Sequence, residues 1–519
     1  MPTEIELKLR LPPDAVARLQ RSPLLRSLSI SSPATRKLYS VYYDTPDSDL
    51  RRNGVAFRLR REGRRWMQTI KGGGSAAAGL HQRDEWEAPV LKAQPDFTKI
   101  CDPLLIELFN TSSLREQLRP VFTTEFDRNI RILRLADGSE AAFCLDRGTI
   151  VARDASERLC EIELELKSGS PAPLFQLALD LLHVVPLRLE NVSKAERGYA
   201  LASGSKSPPL KAPPVQLVAE MSVSEAFKAI AWNCLGHLHS NEAGMLGGRD
   251  IEYLHQMRVA LRRQRSALSI FSRAFSKATF TPIAQELKWL AGQFGPARDW
   301  DVFVTETSTT IGGDFADYPG MLRLREKCEH LRSHHNDDAR NAVKSRHYTE
   351  LMLKLGAWLS AEPWLAQSSA PAPQDRAGAG SGGSGVAAKE FAGTLLMHRH
   401  RQLKKYGRKL ANLGAPELHA LRILAKKQRY AAEFFAGFYP KKETKRYIQS
   451  LSALQDILGA MNDTATVERL LREVPIAKDE SDEHEAIGII RGWSASLAAV
   501  KKPELNRAWK HFARIDPFW

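Results

Sequence analysis

The hydrophobic period of this chain changes once, and that change limits the fold more than any other feature. Up to about residue 200, short runs alternate apolar and charged residues: EIELKLR from Glu4, VAFRLRRE from Val55, RDEWEAPV from Arg83 and CEIELELK from Cys160. Such alternation sends successive side chains to opposite faces of a β-strand. The segment SGSKSPPLKAPPVQ, Ser203 to Gln216, then reads as an extended linker. Beyond it, stretches rich in Ala, Leu, Lys, Arg and Glu recur at helical spacing. At 519 residues the chain is too long for one core. The expectation is an α+β two-domain protein, with a β-rich unit over 1-202, a linker over 203-217 and an all-α unit over 218-519. A Ser/Gly/Pro-rich stretch at 367-385 reads as a flexible insertion, dividing the helical unit into parts of about 218-366 and 386-519.

The charged faces of the strands carry the chemistry. Glu4, Glu6, Lys8 and Arg10 share one face, opposite Ile5, Leu7 and Leu9. Glu161, Glu163 and Glu165 share another; so do Arg58 with Arg60, Met67 and Thr69 with Lys71, and Arg83 with Glu85 and Glu87. One charged face is the ordinary water side of an antiparallel strand. Recurrence over several strands, acids on some and bases on others, fits a closed sheet whose inner face surrounds a ligand. Both signs together suit a polyphosphate with its metal, carboxylates holding a hard cation and Arg and Lys the phosphate oxygens. No Ser–His–Asp or Cys–His arrangement and no Walker-type loop presents itself. Gly72 to Gly74 reads as a mobile strand connection, with a phosphate loop as the second reading.

A net charge of +15 leaves nucleic acid, an anionic membrane and polyphosphate open as partners. Five scattered cysteines argue against a disulfide framework or a zinc site and fit a reducing cytosol. The apolar run Phe175 to Leu187 is broken by Asp180, His183 and Pro186 and is too short to span a bilayer. A soluble cytoplasmic protein is expected. Zinc-finger and RNA-binding signatures are missing from the sequence, which ranks nucleic acid low.

The ordered set Glu4-x-Glu6-x-Lys8, Thr69–Lys71, Arg83–Glu87, Glu161–Glu165 and Ser193–Tyr199 resembles a CYTH domain of the triphosphate tunnel metalloenzymes. The resemblance implies an antiparallel eight-stranded tunnel, with flanking helices, that hydrolyses a triphosphate with Mg²⁺ or Mn²⁺. It assigns Glu4, Glu6, Glu161, Glu163 and Glu165 to the metal, and Lys8, Arg58, Arg60, Lys71, Arg83, Arg128 and Lys194 to the substrate. Arg131 is the alternative to Arg128. Glu4, Glu6, Lys8 and Asp146 become the catalytic set, Asp146 helping the metal or the water.

The helical half contains a duplication. HQMRVALRRQR begins at His255 and HALRILAKKQR at His419, an offset of 419 − 255 = 164, which also relates Gly295 to Gly459 and Asp299 to Asp463. In each copy a basic stripe runs along one helix face: His255, Arg258, Arg262 and Arg265, then His419, Arg422, Lys426 and Arg429. These segments, with GPARDWDVF and LQDILGAMND, resemble a CHAD domain, which implies duplicated four-helix bundles binding inorganic polyphosphate on a basic central surface. Asp299 and Asp463 read as helix caps or internal salt-bridge partners. The joint expectation is an inorganic triphosphatase tethered to a polyphosphate-binding module, with polyphosphate granules as one location to test. The alternatives are a non-catalytic polyphosphate-targeting protein and a hydrolase of an organic triphosphate such as thiamine triphosphate. Membrane partners are not expected.

Overall fold

The computed structural model describes residues 3–204, 208–248, 250–307, 317–366 and 387–519, with 311 and 315 between them; the expected insertion at 367-385 lies outside the described residues. Two compact units form, Met1–Pro208 with Lys344–Ala361, and Pro209–Val343 with Glu362–Trp519.

Among the described residues of the first unit, alternation produces nine strands: β1 (Thr3–Arg10), β2 (Ala34–Asp44), β3 (Val55–Glu62), β4 (Arg65–Ala77), β5 (Leu80–Val90), β6 (Arg119–Arg134), β7 (Glu140–Ala152), β8 (Ala155–Ser168) and the two-residue β9 (Arg188–Leu189). Eight pair in the order β5-β4-β3-β2-β6-β7-β8-β1, and β1 pairs back with β5. Every pairing is antiparallel and the sheet closes. β9 extends beside β1.

Directly paired residues point to the same side of an antiparallel sheet. The register therefore joins the charged faces into one surface. Lys8 lies opposite Glu163, and Glu6 lies between Glu165 and His81. Asp146 lies between Arg128 and Glu161, Arg58 between Tyr42 and Thr69, and Lys71 opposite Glu85. The alternate residues bury on the outside: Phe57 and Ile70 pack with Leu105 and Phe109. The mixed face of β1 is thus the inner lining of a barrel.

Gly72–Gly74 is strand, not a connecting loop. It lies inside β4, where Gly72 pairs with Asp84 and Ser75 with Gln82, leaving Gly73 and Gly74 across from Arg83 as a bulge. Gly74 has φ +93° and a Cβ there would fall 2.0 Å from the Gln82 carbonyl oxygen, so glycine is required.

The segment Lys344–Ala361, expected within the helical half, groups with the first unit. Its helix, Arg346–Ala361, presents Gly356 to Phe175 of the helix Ala172–Val184, where a Cβ would come within 2.3 Å of the ring. A helical period fixes which face is apolar but not which neighbour covers it.

The second unit is helical. The two repeat helices, Ile251–Phe271 and Ala415–Phe434, pack on each other, Arg263 lying 5.3 Å from the Phe434 ring centroid. The duplication is visible in side-chain packing: a Cβ at Gly295 would be 3.1 Å from Arg258 Nη1, and one at Gly459 would be 3.3 Å from Arg422 Nη2. Each repeat lays a guanidinium over a helical glycine. Asp299 lies within the helix Lys277–Val302 and pairs with Arg258 at 3.6 Å and Arg469 at 2.8 Å, a salt-bridge partner rather than a cap. The side chain of Asp463 lies outside the described residues. Among the described residues no helix is long and apolar enough to cross a membrane.

Candidate functional site

Three carboxylates from two neighbouring strands form the centre of the tunnel. Asp146 of β7 and Glu161 and Glu163 of β8 are buried and place one oxygen each within 4.8 Å of the others. Alone, such a cluster would be strongly repelled, and cations from three elements compensate it. Arg128 of β6 holds Asp146 in a bidentate grip at 2.8 and 2.7 Å and touches Glu163. Lys8 of β1 contacts Glu163 and lies 2.8 Å from Glu6. Lys194 reaches Glu161 at 2.5 Å, Glu163 at 2.7 Å and Asp146 at 2.8 Å.

Lys194 arrives from outside the sheet. It opens the helix Lys194–Ser203, whose start is fixed by a capping box between Ser193 and Glu196. Ala195 and Tyr199 of this helix pack with Tyr42, Phe122 and Ile150, so the helix seats on the apolar part of the inner face. Three residues after Lys194, on the same helix face, Arg197 bonds Glu161 at 2.8 Å. Sequence reasoning missed Arg197, although the i, i+3 pair in SKAERGY was its visible signal.

Charge sets the protonation states. Burial opposes the Glu163 carboxylate, but Lys194, Lys8 and Arg128 hold it ionised well below the usual carboxylate range. Burial likewise opposes the Lys8 and Arg128 cations, and their carboxylate partners more than offset it, raising both.

On the other wall the acids do not reach every cation. Arg58 meets Tyr42 Oη at 3.4 Å, with Glu85 at 3.6 Å and Glu87 at 3.9 Å. Arg60 has no ion pair among the described residues, and its Nε is buried without a hydrogen-bond partner. Burial, then Arg58 and Arg128, push the Arg60 guanidinium down to about 10. A half-buried cation with no ion pair among the described residues, set among other cations, favours an incoming anion.

The remaining expected residues line the same surface with other partners. Glu4 contacts Lys71, which is also 3.1 Å from Glu85. Arg83 pairs with Glu196 at 3.2 Å, a bridge from β5 to the capping box rather than an unpaired cation. Glu165 pairs with Lys167 at 2.5 Å, and Glu4, Glu6 and Glu165 lie outside the compact trio, whose third member is Asp146. Arg131 lies with its guanidinium 5.8 Å from the Phe143 ring centroid, off the inner row that holds Arg128.

In the helical unit the basic stripes meet. Arg258, Arg262, Arg422, Lys426 and Arg429 are half-buried, while Arg265 and His419 are exposed. Lys426 is pushed down to about 7 by burial and then by Arg422, Arg262, Arg258 and Arg429. His255 is pushed to about 4, by burial first and Arg298 second. Arg429 is held by Glu433 at 2.7 Å and Gln455 at 3.1 Å, whereas the Nε of Arg262 and of Arg422 are buried without partners.

The CYTH domain model matches residues 2–199 and the CHAD domain model residues 229–472. An inorganic triphosphatase of Haemophilus influenzae is 32% identical over 202 residues, covering 38% of this chain; the match spans 55% of that relative's length. An uncharacterized protein of Mycobacterium tuberculosis is 26% identical over 523 residues, covering 95% of this chain and 91% of the relative. The crystal structure of the CHAD domain from the plant Ricinus communis is 33% identical, covering 60% of this chain and 98% of that one, with a TM-score of 0.51. The chain therefore belongs to the CHAD domain family through its helical half and carries, ahead of it, a CYTH domain folded as a closed eight-stranded barrel.

Proposed function

We propose that the tunnel hydrolyses inorganic triphosphate to pyrophosphate and phosphate with Mg²⁺ or Mn²⁺, and that the basic cluster of the helical unit binds inorganic polyphosphate. The observation that carries the first part is the division of one lining into a buried carboxylate trio and an arginine wall where Arg60 lacks a counter-ion. An all-oxygen donor set of Asp146, Glu161 and Glu163 fits a hard divalent cation. Such a cation would neutralise phosphate charge and lower the pKa of a bound water.

The chain's own residues do the rest. Arg58, Arg60, Lys71 and Arg128 offer donors to phosphate oxygens and stabilise charge as the P–O bond to pyrophosphate breaks. Lys8 and Lys194, now bound to carboxylates, are free to turn to phosphate when the carboxylates are otherwise neutralised. The helix Lys194–Ser203 covers apolar lining and keeps Lys194 in place.

Support for the second part is the set of five half-buried cations on two packed repeat helices, two of which, Arg262 and Arg422, have a buried guanidinium Nε without a partner. Phosphate release from inorganic triphosphate, thiamine triphosphate, ATP and long-chain polyphosphate, each with Mg²⁺ or Mn²⁺, ranks the readings. Preference for inorganic triphosphate is the expected result. Preference for thiamine triphosphate would overturn the substrate assignment, and binding of polyphosphate without turnover of any substrate would leave a targeting protein.

A further inference from the structure

Two hydroxyls in the tunnel wall have no partner. Ser40 of β2 is paired directly with Thr124 of β6 on one side and with Arg60 of β3 on the other, so the three side chains form one cross-strand row on the inner face. Ser40 is 0% exposed and Thr124 is 1% exposed. Ser40 Oγ, Thr124 Oγ1 and Arg60 Nε are all buried without a hydrogen-bond partner among the described residues. Neighbouring Cβ atoms in such a row are about 5 Å apart, so the unsatisfied atoms meet at one place.

The flanking rows leave the pair unsatisfied. On one side Tyr42, whose hydroxyl meets Arg58, stacks on Phe122 with ring centroids 4.3 Å apart and packs with Ile150, Ala195 and Tyr199. On the other side Leu38 faces Phe126 and packs with Leu159. A buried hydroxyl left without a partner destabilises a fold, and adjacent ones point to a shared occupant. Arg58 lies one row along, opposite Tyr42, and Arg128 lies four residues beyond Thr124 on β6. With guanidiniums on both sides, that occupant is an anion.

We infer that Ser40 and Thr124 donate hydrogen bonds to a terminal phosphoryl group of the substrate, beside Arg60, and so recognise a phosphate chain by its free end. Ser40, Thr124 and Arg60 each bring a donor, and a terminal phosphoryl offers three free oxygens where an internal one offers two. The packed apolar side chains on either side leave the chain no wall of donors along which to continue. The role of the two hydroxyls presupposes the triphosphate reading of the tunnel and adds to it neutral groups that the charged lining does not include.

The test is titration calorimetry on the full chain in EDTA, with inorganic triphosphate and with trimetaphosphate, the cyclic trimer that has no terminal phosphoryl. Ser40→Ala and Thr124→Val should each weaken triphosphate binding by about tenfold and narrow the preference over trimetaphosphate by the same factor. Their Tm should stay level or rise, because an unsatisfied buried hydroxyl has been removed. Thr124→Ser keeps a hydroxyl and should bind triphosphate as the wild type does. Unchanged triphosphate affinity in both variants, an equal loss for the two ligands, or a Thr124→Ser variant as weak as Thr124→Val overturns the assignment, and so does a wild type that binds no triphosphate. Phosphate release with Mn²⁺ on the same samples reports separately on hydrolysis: triphosphate binding that depends on the hydroxyls, in a chain that releases no phosphate, would uphold the subsite and overturn the hydrolase reading.

Discussion

Arg128 grips Asp146 with two parallel hydrogen bonds, 2.8 Å from Nε to Oδ1 and 2.7 Å from Nη2 to Oδ2. The fork fixes the Asp146 carboxylate within the trio, and a lysine ammonium cannot reproduce two parallel bonds. Arg128→Lys keeps the charge and loses the fork. It should lower kcat/KM for triphosphate by roughly tenfold to a hundredfold, as expected for about 1.5–3 kcal/mol of charge-assisted bonding. Steady-state kinetics beside circular dichroism checks it; unchanged kcat/KM would contradict it.

Lys194 compensates three carboxylates at once. Lys194→Met leaves them buried with one cation fewer, a loss of about 3–5 kcal/mol. A divalent cation should restore much of it. The rise in Tm on adding Mn²⁺ is therefore predicted to be larger in Lys194→Met than in the wild type, and thermal melts with and without metal measure this. An equal rise in both would count against cation binding at the trio.

The pH dependence of stability follows from the same cluster. The Glu163 carboxyl is depressed in the fold, so its contribution is present above the ordinary carboxylate pKa of about 4.3 and is lost as pH falls through the folded value. The Lys8 ammonium is raised, so its contribution is present below about 10.4 and is lost as pH rises through the folded value. Glu163→Gln should flatten the acid limb of a Tm-against-pH profile and, because Glu163 is the foremost carboxylate raising Lys8, weaken the alkaline limb as well.

In the helical unit Lys426 works in the opposite sense. Its ammonium is disfavoured by burial and four arginines, and a polyanion would favour it. Binding of polyphosphate should then take up a proton near neutral pH and weaken as pH rises from 6.5 to 8.5. Lys426→Arg, charged throughout, should bind with little pH dependence. Titration calorimetry in buffers of different ionisation enthalpy checks both statements.

Gly198 lies where the helix Lys194–Ser203 meets Phe122; a Cβ there would come within 2.1 Å of the ring. Gly198→Ala should cost about 1–3 kcal/mol by overpacking. Because the displaced helix carries Lys194, activity should fall together with Tm.

The barrel and its lining were legible in the sequence because a period of two admits one side-chain partition: once Glu4, Glu6 and Lys8 share a face, Leu7 and Leu9 must share the other. The offset of 164 likewise exposed the paired basic helices. What the sequence withheld were partners. Nothing local shows that Arg83 turns to Glu196, or that Asp146 stands with Glu161 and Glu163 while Glu4 and Glu165 do not. These depend on strand register and on chain segments more than a hundred residues apart. The glycine triplet misled because glycine marks loops more often than bulges.

The central claim is that the inner face of β1, β7 and β8 is a metal-dependent phosphohydrolase site. Its most direct test is phosphate release from inorganic triphosphate with Mn²⁺, comparing the wild type with Asp146→Asn and Glu163→Gln variants that retain the wild-type far-UV spectrum. Metal-dependent release in the wild type, reduced by at least a hundredfold in both variants, is the predicted result. Release that persists in both variants, or that needs no metal, would contradict it.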